Sequence, residues 1–342
     1  MAPSPRVTVG IPTWNRSALL REALDSVLAQ TLSDIEVFVF DDGSSDDTAE
    51  VMASYDDPRV RYVRNERNLG HPDNVTQILT TGTAPYVAML FDDDVMFPDH
   101  LERTVALLDA HPSAAAAHTA YELWTGDGGR HPLPLTDVDH GGVVEESAEV
   151  FLPRLVHKAP RVWVATALMR RSKVAHLDFR EADEPATDVM FWMRVALEGT
   201  IVYDPTPTAC LRVTEGYSSE NQFLAIDENG FFQPTFGTVR AYQKVYSLFR
   251  HENRNRISRR LRLRLLFEET RTRHGLLQAV IRRRLPGVRP AGDLLPLLRE
   301  AATIDPTVLV DPIVLLRLLG ERRRSRPAGT ATGRTPNPAR PA

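Results

Sequence analysis

An α/β fold built on a largely parallel sheet is what this chain predicts, on two observations. Apolar strand-like runs alternate with helical patterns through the first hundred residues, as consecutive βα units do. The carboxyl ends of three of those runs also carry polar clusters, at the sheet edge where open parallel sheets bind ligands. The clusters are Pro12-Thr13-Trp14-Asn15-Arg16, Asp41-Asp42-Gly43-Ser44 and Asp92-Asp93-Asp94.

Val7 to Ile11 is the first apolar run, closed by Pro12. Ser17 is the expected N-cap of the helix that follows, because Leu20, Leu24, Val27 and Leu28 recur at helical spacing behind it. Ile35 to Phe40 is the second strand, and Asp41 to Asp47 turns it into a helix through Thr48, Val51 and Met52. Val60 to Val63 is the third strand, with Val75, Ile78 and Leu79 as the face of the next helix. Tyr86 to Phe91 is the fourth and delivers the acidic triplet. After Pro98, Leu101, Val105 and Leu108 share a helical face that His111-Pro112 ends. Further on, Ala114 to Leu123 predicts a strand, Gly126 to Gly129 a turn, Val162 to Met169 a buried strand, and Val189 to Leu197 a helix starting just after Asp188.

With 342 residues, 42% of them hydrophobic, the chain can bury a substantial core. It has no apolar run of about 20 residues that could span a bilayer. Its first residues lack the layout of a signal peptide, so a cytoplasmic location is expected. The single cysteine, Cys210, excludes an intramolecular disulfide and a cysteine-based zinc cluster, and predicts a small core residue. A net charge of −4 conceals an asymmetry, since Arg250 to Pro290 holds 13 Arg against three acidic residues while residues 1 to 249 are strongly acidic.

Three adjacent carboxylates at a strand end repel one another, and a cation would relieve that repulsion, either a hard metal or a metal-bound diphosphate. A solvated acidic turn is the other reading. No GxGxxG follows the first strand and no GxxxxGK[ST] occurs, which counts against a dinucleotide oxidoreductase and a P-loop enzyme.

Four segments, Val9-Gly-Ile-Pro-Thr-Trp-Asn-Arg, Val37-Phe-Val-Phe-Asp-Asp-Gly-Ser-Ser-Asp-Asp-Thr, Asn65-Glu-Arg-Asn-Leu-Gly and Leu90-Phe-Asp-Asp-Asp-Val-Met-Phe-Pro-Asp, resemble in order and spacing the family 2 glycosyltransferases with the GT-A fold. The resemblance covers roughly residues 6 to 220. It implies a Rossmann-like mixed sheet flanked by helices, a nucleotide-sugar donor, inversion at the anomeric carbon, and a divalent cofactor, Mn²⁺ or Mg²⁺. Carried over by position, Pro12, Thr13, Trp14, Asn15 and Arg16 would line the nucleotide pocket, with Trp14 stacked on the base. Asp42 would accept the ring N–H of uracil or thymine, making a UDP- or TDP-sugar the expected donor. Asn68, Gly70, Asp92 and Arg212 would also face the donor. Relatives carry Asp-x-Asp-Asp at the metal motif. Phe91 stands at the first position here, which leaves the metal to Asp93 or Asp94 and does not decide which of the two binds it directly. Asp188, at a helix start and followed by Phe191, Trp192 and Arg194, would be the general base, in a Thr187-Asp188 pair where relatives have Glu-Asp.

The expected organisation is a catalytic domain over residues 1 to 225, a basic and mostly helical region over 226 to 325, and a disordered tail from 326. In the basic region Leu261, Leu263, Leu265 and Leu266 alternate with arginines, so it can lie against an anionic membrane surface or solvate a helical bundle paired with the acidic domain. Nucleic acid is not expected, because no recognised binding module accompanies the charge. A glycan, a lipid-linked sugar or a small molecule would be the acceptor. The rival readings are a sugar-phosphate nucleotidyltransferase, which would open on a Gly-rich signature absent here, and a non-catalytic sugar-nucleotide binder, against which Asp188 argues.

Overall fold

The computed structural model describes residues 4–124, 130–133, 142–157, 162–180, 183, 186–212, 224–226, 232–234, 236–284 and 294–304; the turn expected at Gly126–Gly129 and the tail expected from Arg326 lie outside them. Strand β1 (Val7–Thr13) is buried at every residue because it has a neighbour on each side and helices over both faces. β2 (Ile35–Asp41) and β4 (Tyr86–Met89) flank it in parallel, and β3 (Val60–Arg64) extends the sheet beyond β2. Continuous apolar runs, without polar alternation, are what strands covered on both faces require.

Helices α1 (Ser17–Leu28), α2 (Thr48–Ala53), α3 (His71–Thr80) and α4 (His100–Ala110) complete this half. Alternate side chains of β2 separate the two cores. Val37 and Val39 face Leu20, Leu24 and Val27 of α1, whereas Phe38 and Phe40 join Val75, Ile78 and Leu79 of α3. Gly10 lets α3 approach β1, because a Cβ there would stand 2.3 to 2.9 Å from the Ile78 side chain. Gly10→Ala is therefore expected to lower stability by about 1–3 kcal/mol through overpacking, read as a lower urea midpoint with an unchanged slope.

Beyond β4 the sheet becomes mixed. β5 (Val95–Met96), β6 (Ala114–Trp124), β7 (Arg130–Leu133), β8 (Val144–Glu146), β9 (Ala167–Arg170) and β10 (Thr200–Arg212) complete it. Its order is β3-β2-β1-β4-β9-β6-β10-β5, with β7 on β6 and β8 on β10. β9 runs antiparallel to both β4 and β6, and β10 runs parallel to β6. The sequence concealed β10 because Pro205 and Pro207 interrupt it. The ladder accommodates them with register shifts between Asp204 and Ala209.

Two local expectations are corrected. Ser17 is the first residue of α1 and not its cap; the helix start is held from the next loop, where Asp46 Oδ2 accepts the Ser17 N–H at 3.1 Å and Asp47 accepts its hydroxyl. Val162 to Met169 is not one strand, since a 3₁₀ turn over Val164–Thr166 precedes β9.

Helices α5 (Ala148–His157), α6 (Arg171–Val174), α7 (Thr187–Val195), α8 (Phe236–Glu252), α9 (Arg259–Arg284) and α10 (Leu294–Ile304), with the hairpin β11 (Leu224–Ile226) and β12 (Phe232–Pro234), make up the remainder. The chain divides into compact units over Met1–Leu276 and Leu277–Ala342. In the first, Val245, Tyr246 and Phe249 of α8 and Leu261 and Leu265 of α9 join the core that contains α7. Part of the arginine run pairs with acids of this unit, Arg256 with Glu198 at 2.8 Å and Arg250 with Glu269. In the second, Leu277, Val280, Ala301 and Ile304 are buried. Among the described residues no helix is long and apolar enough to cross a membrane.

Candidate active site

The three polar strand ends meet at a cleft of about 660 Å³. From β1, Thr13 donates its hydroxyl to Asp92 Oδ2 at 2.7 Å. The chain then reverses at Asn15, the one described non-glycine residue with positive φ, at 54°. Asparagine tolerates that left-handed conformation better than most residues. Its N–H donates to Ser44 Oγ at 2.9 Å and its amide oxygen accepts the Ser45 N–H at 2.7 Å, so the side chain binds the second loop and does not line the cleft. The reversal leaves Trp14 52% exposed on the cleft wall and turns Arg16 onto the acidic triplet. There its Nη1 lies 3.2 Å from Asp92 Oδ1 and 3.1 Å from Asp93 Oδ2.

From β2, Asp41 is fully buried and shapes its own loop, accepting the Ser44 N–H at 2.8 Å and the Tyr62 hydroxyl. Asp42 organises the next loop. Its Oδ1 accepts from Asn65 Nδ2 at 2.9 Å and from the Leu69 N–H at 2.8 Å, and its Oδ2 from the Gly70 N–H at 3.0 Å. Gly70, at φ 87°, stands at the N-terminus of α3 and takes part through its backbone. Asn68 lines the cleft and also accepts the Gly70 N–H, at 2.8 Å. Asn74 is buried and ties α3 to β2 through the Phe40 carbonyl at 3.1 Å. His71 packs against Phe91 with ring centroids 5.5 Å apart, on the same wall.

After β4 the chain bends sharply, with the Asp94 N–H returning to the Phe91 carbonyl at 3.1 Å. All three carboxylates of the triplet are buried. Burial pushes the Asp92 carboxyl up to about 6, although Arg16 and the Thr13 hydroxyl work against the shift. Burial also raises Asp93, again opposed by Arg16. Asp94 is pushed well above the usual carboxylate range by burial and then by its neighbour Asp93. Burial is the largest cause of all three shifts, and a cation beside the carboxylates would favour their ionised form.

Asp92 and Asp93 line the cleft, and Asp94 does not. Its two oxygens are engaged behind it, one by Trp163 Nε1 at 3.3 Å and the other by the Arg212 N–H at 3.2 Å. Arg212, at the end of β10, braces the triplet from the same side. Its Nε–H donates to the Asp93 carbonyl at 3.3 Å, its terminal nitrogen binds Glu22, and the guanidinium lies 4.2 Å from the Trp124 ring centre. Among the described residues no three His, Cys, Asp or Glu side chains form a full metal-ligand set. Mg²⁺ and related ions ordinarily take only one or two carboxylates and fill their remaining positions with water and phosphate oxygens. Asp93, buried yet facing the cleft, fits that requirement.

Asp188 is the second residue of α7 and only partly buried, outside the lining of the cleft. Its protein surroundings raise the carboxyl pKa, while the backbone N–H groups of Asp188 and Val189 oppose the shift. On α8, burial and then the field of Asp188 push up the phenol of Tyr242. Arg194, at the other end of α7, is fixed by a buried ion pair with Asp183 at 2.7 Å. Two contributors escaped the sequence reading. Asn65 was visible as part of a quoted motif but without a role, and Trp163 had no local signal, because its partner Asp94 is 69 residues away.

The family model for glycosyl transferase family 2 matches residues 8–173, which span all three strand ends. An uncharacterised protein of Mycobacterium tuberculosis is 30% identical over 224 residues, 61% of this chain and 68% of the relative. The chain belongs to glycosyl transferase family 2. A Campylobacter jejuni relative, named GalNAc(5)-diNAcBac-PP-undecaprenol beta-1,3-glucosyltransferase, is 38% identical over 93 residues; these cover 26% of this glycosyltransferase and 30% of the relative. Among solved structures, Staphylococcus aureus TarS residues 1–349 in complex with UDP-GlcNAc superpose with a TM-score of 0.63 at 16% identity, over 87% of this chain and 80% of that one. The mannosyltransferase PcManGT of Pyrobaculum calidifontis, in complex with GDP-Man and Mn²⁺, gives 0.56 at 17% identity, over 95% and 89% of the two chains. At such identities the likeness speaks for the fold, and the fold is GT-A.

Proposed function

We propose that this glycosyltransferase is an inverting enzyme that moves a sugar from a UDP- or TDP-sugar to an acceptor hydroxyl. The observation that carries the reading is the convergence on one cleft of an exposed indole, Trp14, a carboxylate on a polar loop, Asp42, and a buried carboxylate facing the open space, Asp93. A nucleotide needs these three features, namely a stacking platform, an acceptor for a base N–H, and an anchor for the diphosphate end. Asp42 makes three hydrogen bonds within the protein, and a carboxylate has about four acceptor sites, so one remains for the imide of uracil or thymine. The TarS complex with UDP-GlcNAc supports a uridine donor, and the Mn²⁺ of the PcManGT complex supports a divalent cofactor.

In the proposed reaction the acceptor oxygen attacks the anomeric carbon as the bond to the diphosphate oxygen breaks. Asp188 takes the hydroxyl proton, and the raised pKa of its carboxyl makes it the stronger base. Asp93, and Asp94 through the same turn, would hold a divalent ion, which when bound offsets the charge growing on the leaving nucleoside diphosphate. Asp92 holds the mouth of the cleft through Thr13 and Arg16, and Arg16, which lines the cleft, would pair with the diphosphate. Arg212 keeps the turn in register from behind. A lipid-linked glycan is the acceptor class that the name of the Campylobacter relative supports.

A thermal-shift screen of nucleotide sugars with Mn²⁺ tests the reading. UDP- or TDP-sugars at about 100 times their Kd are expected to stabilise the protein by about 2.7 kcal/mol, with GDP- and CMP-sugars inert; no response to any uridine or thymidine nucleotide would overturn it. Trp14→Ala should weaken the responding nucleotide by about 1–3 kcal/mol, the value of one base stacked on an aromatic ring, with the unliganded melting temperature little changed because Trp14 is half exposed.

A further inference from the structure

Seven large apolar side chains stand exposed among the described residues, and three of them, Leu263, Leu266 and Phe267, share one stretch of α9 at 60%, 46% and 65% exposure. Their i, i+3, i+4 spacing makes one contiguous patch. The helix cannot roll to hide it, because Leu261 and Leu265 on the opposite face are buried in the core with Phe249.

Charge surrounds the patch asymmetrically. Arg260, Arg264 and Arg271 recur at i, i+4 and i+11, so they form a row along one side, and Arg259, one turn before Leu263, stands at the N-terminal end of the patch; all four are exposed. Of the two carboxylates of this stretch, Glu269 is buried against Arg250, and Glu268 is half-buried beside the row, 3.5 Å from Arg271, which leaves the row a net positive charge.

We infer that this face of α9 docks on an anionic lipid surface. An apolar strip beside a row of cations suits a helix lying at the boundary of headgroups and acyl chains, where phosphates meet the arginines and Leu263, Leu266 and Phe267 enter the apolar layer. A second copy of the chain fits poorly, because a two-fold contact on this face would set the same arginines against one another. The chain's own residues 305–342 fit no better, with seven arginines against three acids. Nucleic acid would satisfy the arginines and leave the apolar strip without a partner. The contact is one of lying on the surface, since no described helix is long and apolar enough to cross a membrane. It is independent of the transfer chemistry proposed above.

Co-sedimentation of the full chain with lipid vesicles tests it. Vesicles of phosphatidylcholine and phosphatidylglycerol in equal parts are expected to bind the protein, phosphatidylcholine alone not, and added salt should weaken the binding. The double variant Arg260→Gln/Arg271→Gln should bind on the order of 25-fold more weakly, roughly fivefold per arginine. Leu263→Ser/Phe267→Ser keeps every charge and should lose binding altogether, with an unchanged melting temperature reporting an intact fold. No binding to the anionic vesicles would overturn the inference, as would full retention by the serine variant. A dimer in light scattering that the serine variant abolishes would assign the face to a second copy, and binding to single-stranded DNA unaffected by the serine variant and tighter than to vesicles would assign it to nucleic acid.

Discussion

Asp188→Asn is expected to lower transfer by about 10²–10⁴-fold, the usual contribution of a positioned general base, while donor-induced thermal stabilisation stays close to that of the parent. The substitution keeps the shape of the side chain, and Asp188 lies outside the lining of the donor cleft, so little else should move. Donor hydrolysis supplies a readout that needs no knowledge of the acceptor, because water then takes the place of the acceptor hydroxyl. The pH dependence gives a second one. Desolvation by the protein packed around it raises the Asp188 pKa, so the base is lost to protonation sooner as pH falls, and the acid limb of kcat/KM should lie above the ordinary aspartate value of about 3.9. An Asn variant that hydrolyses donor at the parental rate, with the same acid limb, would remove Asp188 from the chemistry.

The catalytic half of the fold was legible because its signals are local. The strands Val7–Thr13 and Ile35–Asp41 are mostly apolar runs buried at every residue, and α1 and α3 present apolar residues at helical spacing. Where structure depends on distant partners the sequence was silent. β10 contains two prolines and is a strand only because β6 and β8 pair with it around its bulges. Ser17 looks like a helix cap by residue type, yet the cap is supplied by Asp46 and Asp47, some 30 residues later. The site divides in the same way. Trp14, Asp42 and Asp93 could be named from strand-end motifs, whereas the bond from Trp163 to Asp94 and the commitment of Arg212 to the triplet arise only when β10 and the 3₁₀ turn are in place.

That last difference separates the two candidate metal ligands and leads to the second large effect. Dialysis against EDTA is expected to abolish transfer, with Mn²⁺ or Mg²⁺ restoring it, and undiminished transfer by metal-free protein would refute the role given to the triplet. Between the two aspartates the expected outcomes differ. Asp93 faces the cleft, so Asp93→Asn should remove the protein's principal carboxylate from the ion and eliminate Mn²⁺ binding, read by electron paramagnetic resonance in the presence of nucleoside diphosphate. The Asp94 oxygens are already engaged by Trp163 and the backbone of Arg212, so its contribution is to orient the turn that carries Asp93. Loss of such a supporting group ordinarily weakens metal binding by about 10–100-fold without abolishing it. Asp94→Asn should therefore retain metal-dependent transfer at raised Mn²⁺. If Asp94→Asn abolished Mn²⁺ binding and Asp93→Asn retained it, the ion would belong to Asp94, and the turn after β4 would have to open away from Trp163 when the donor enters.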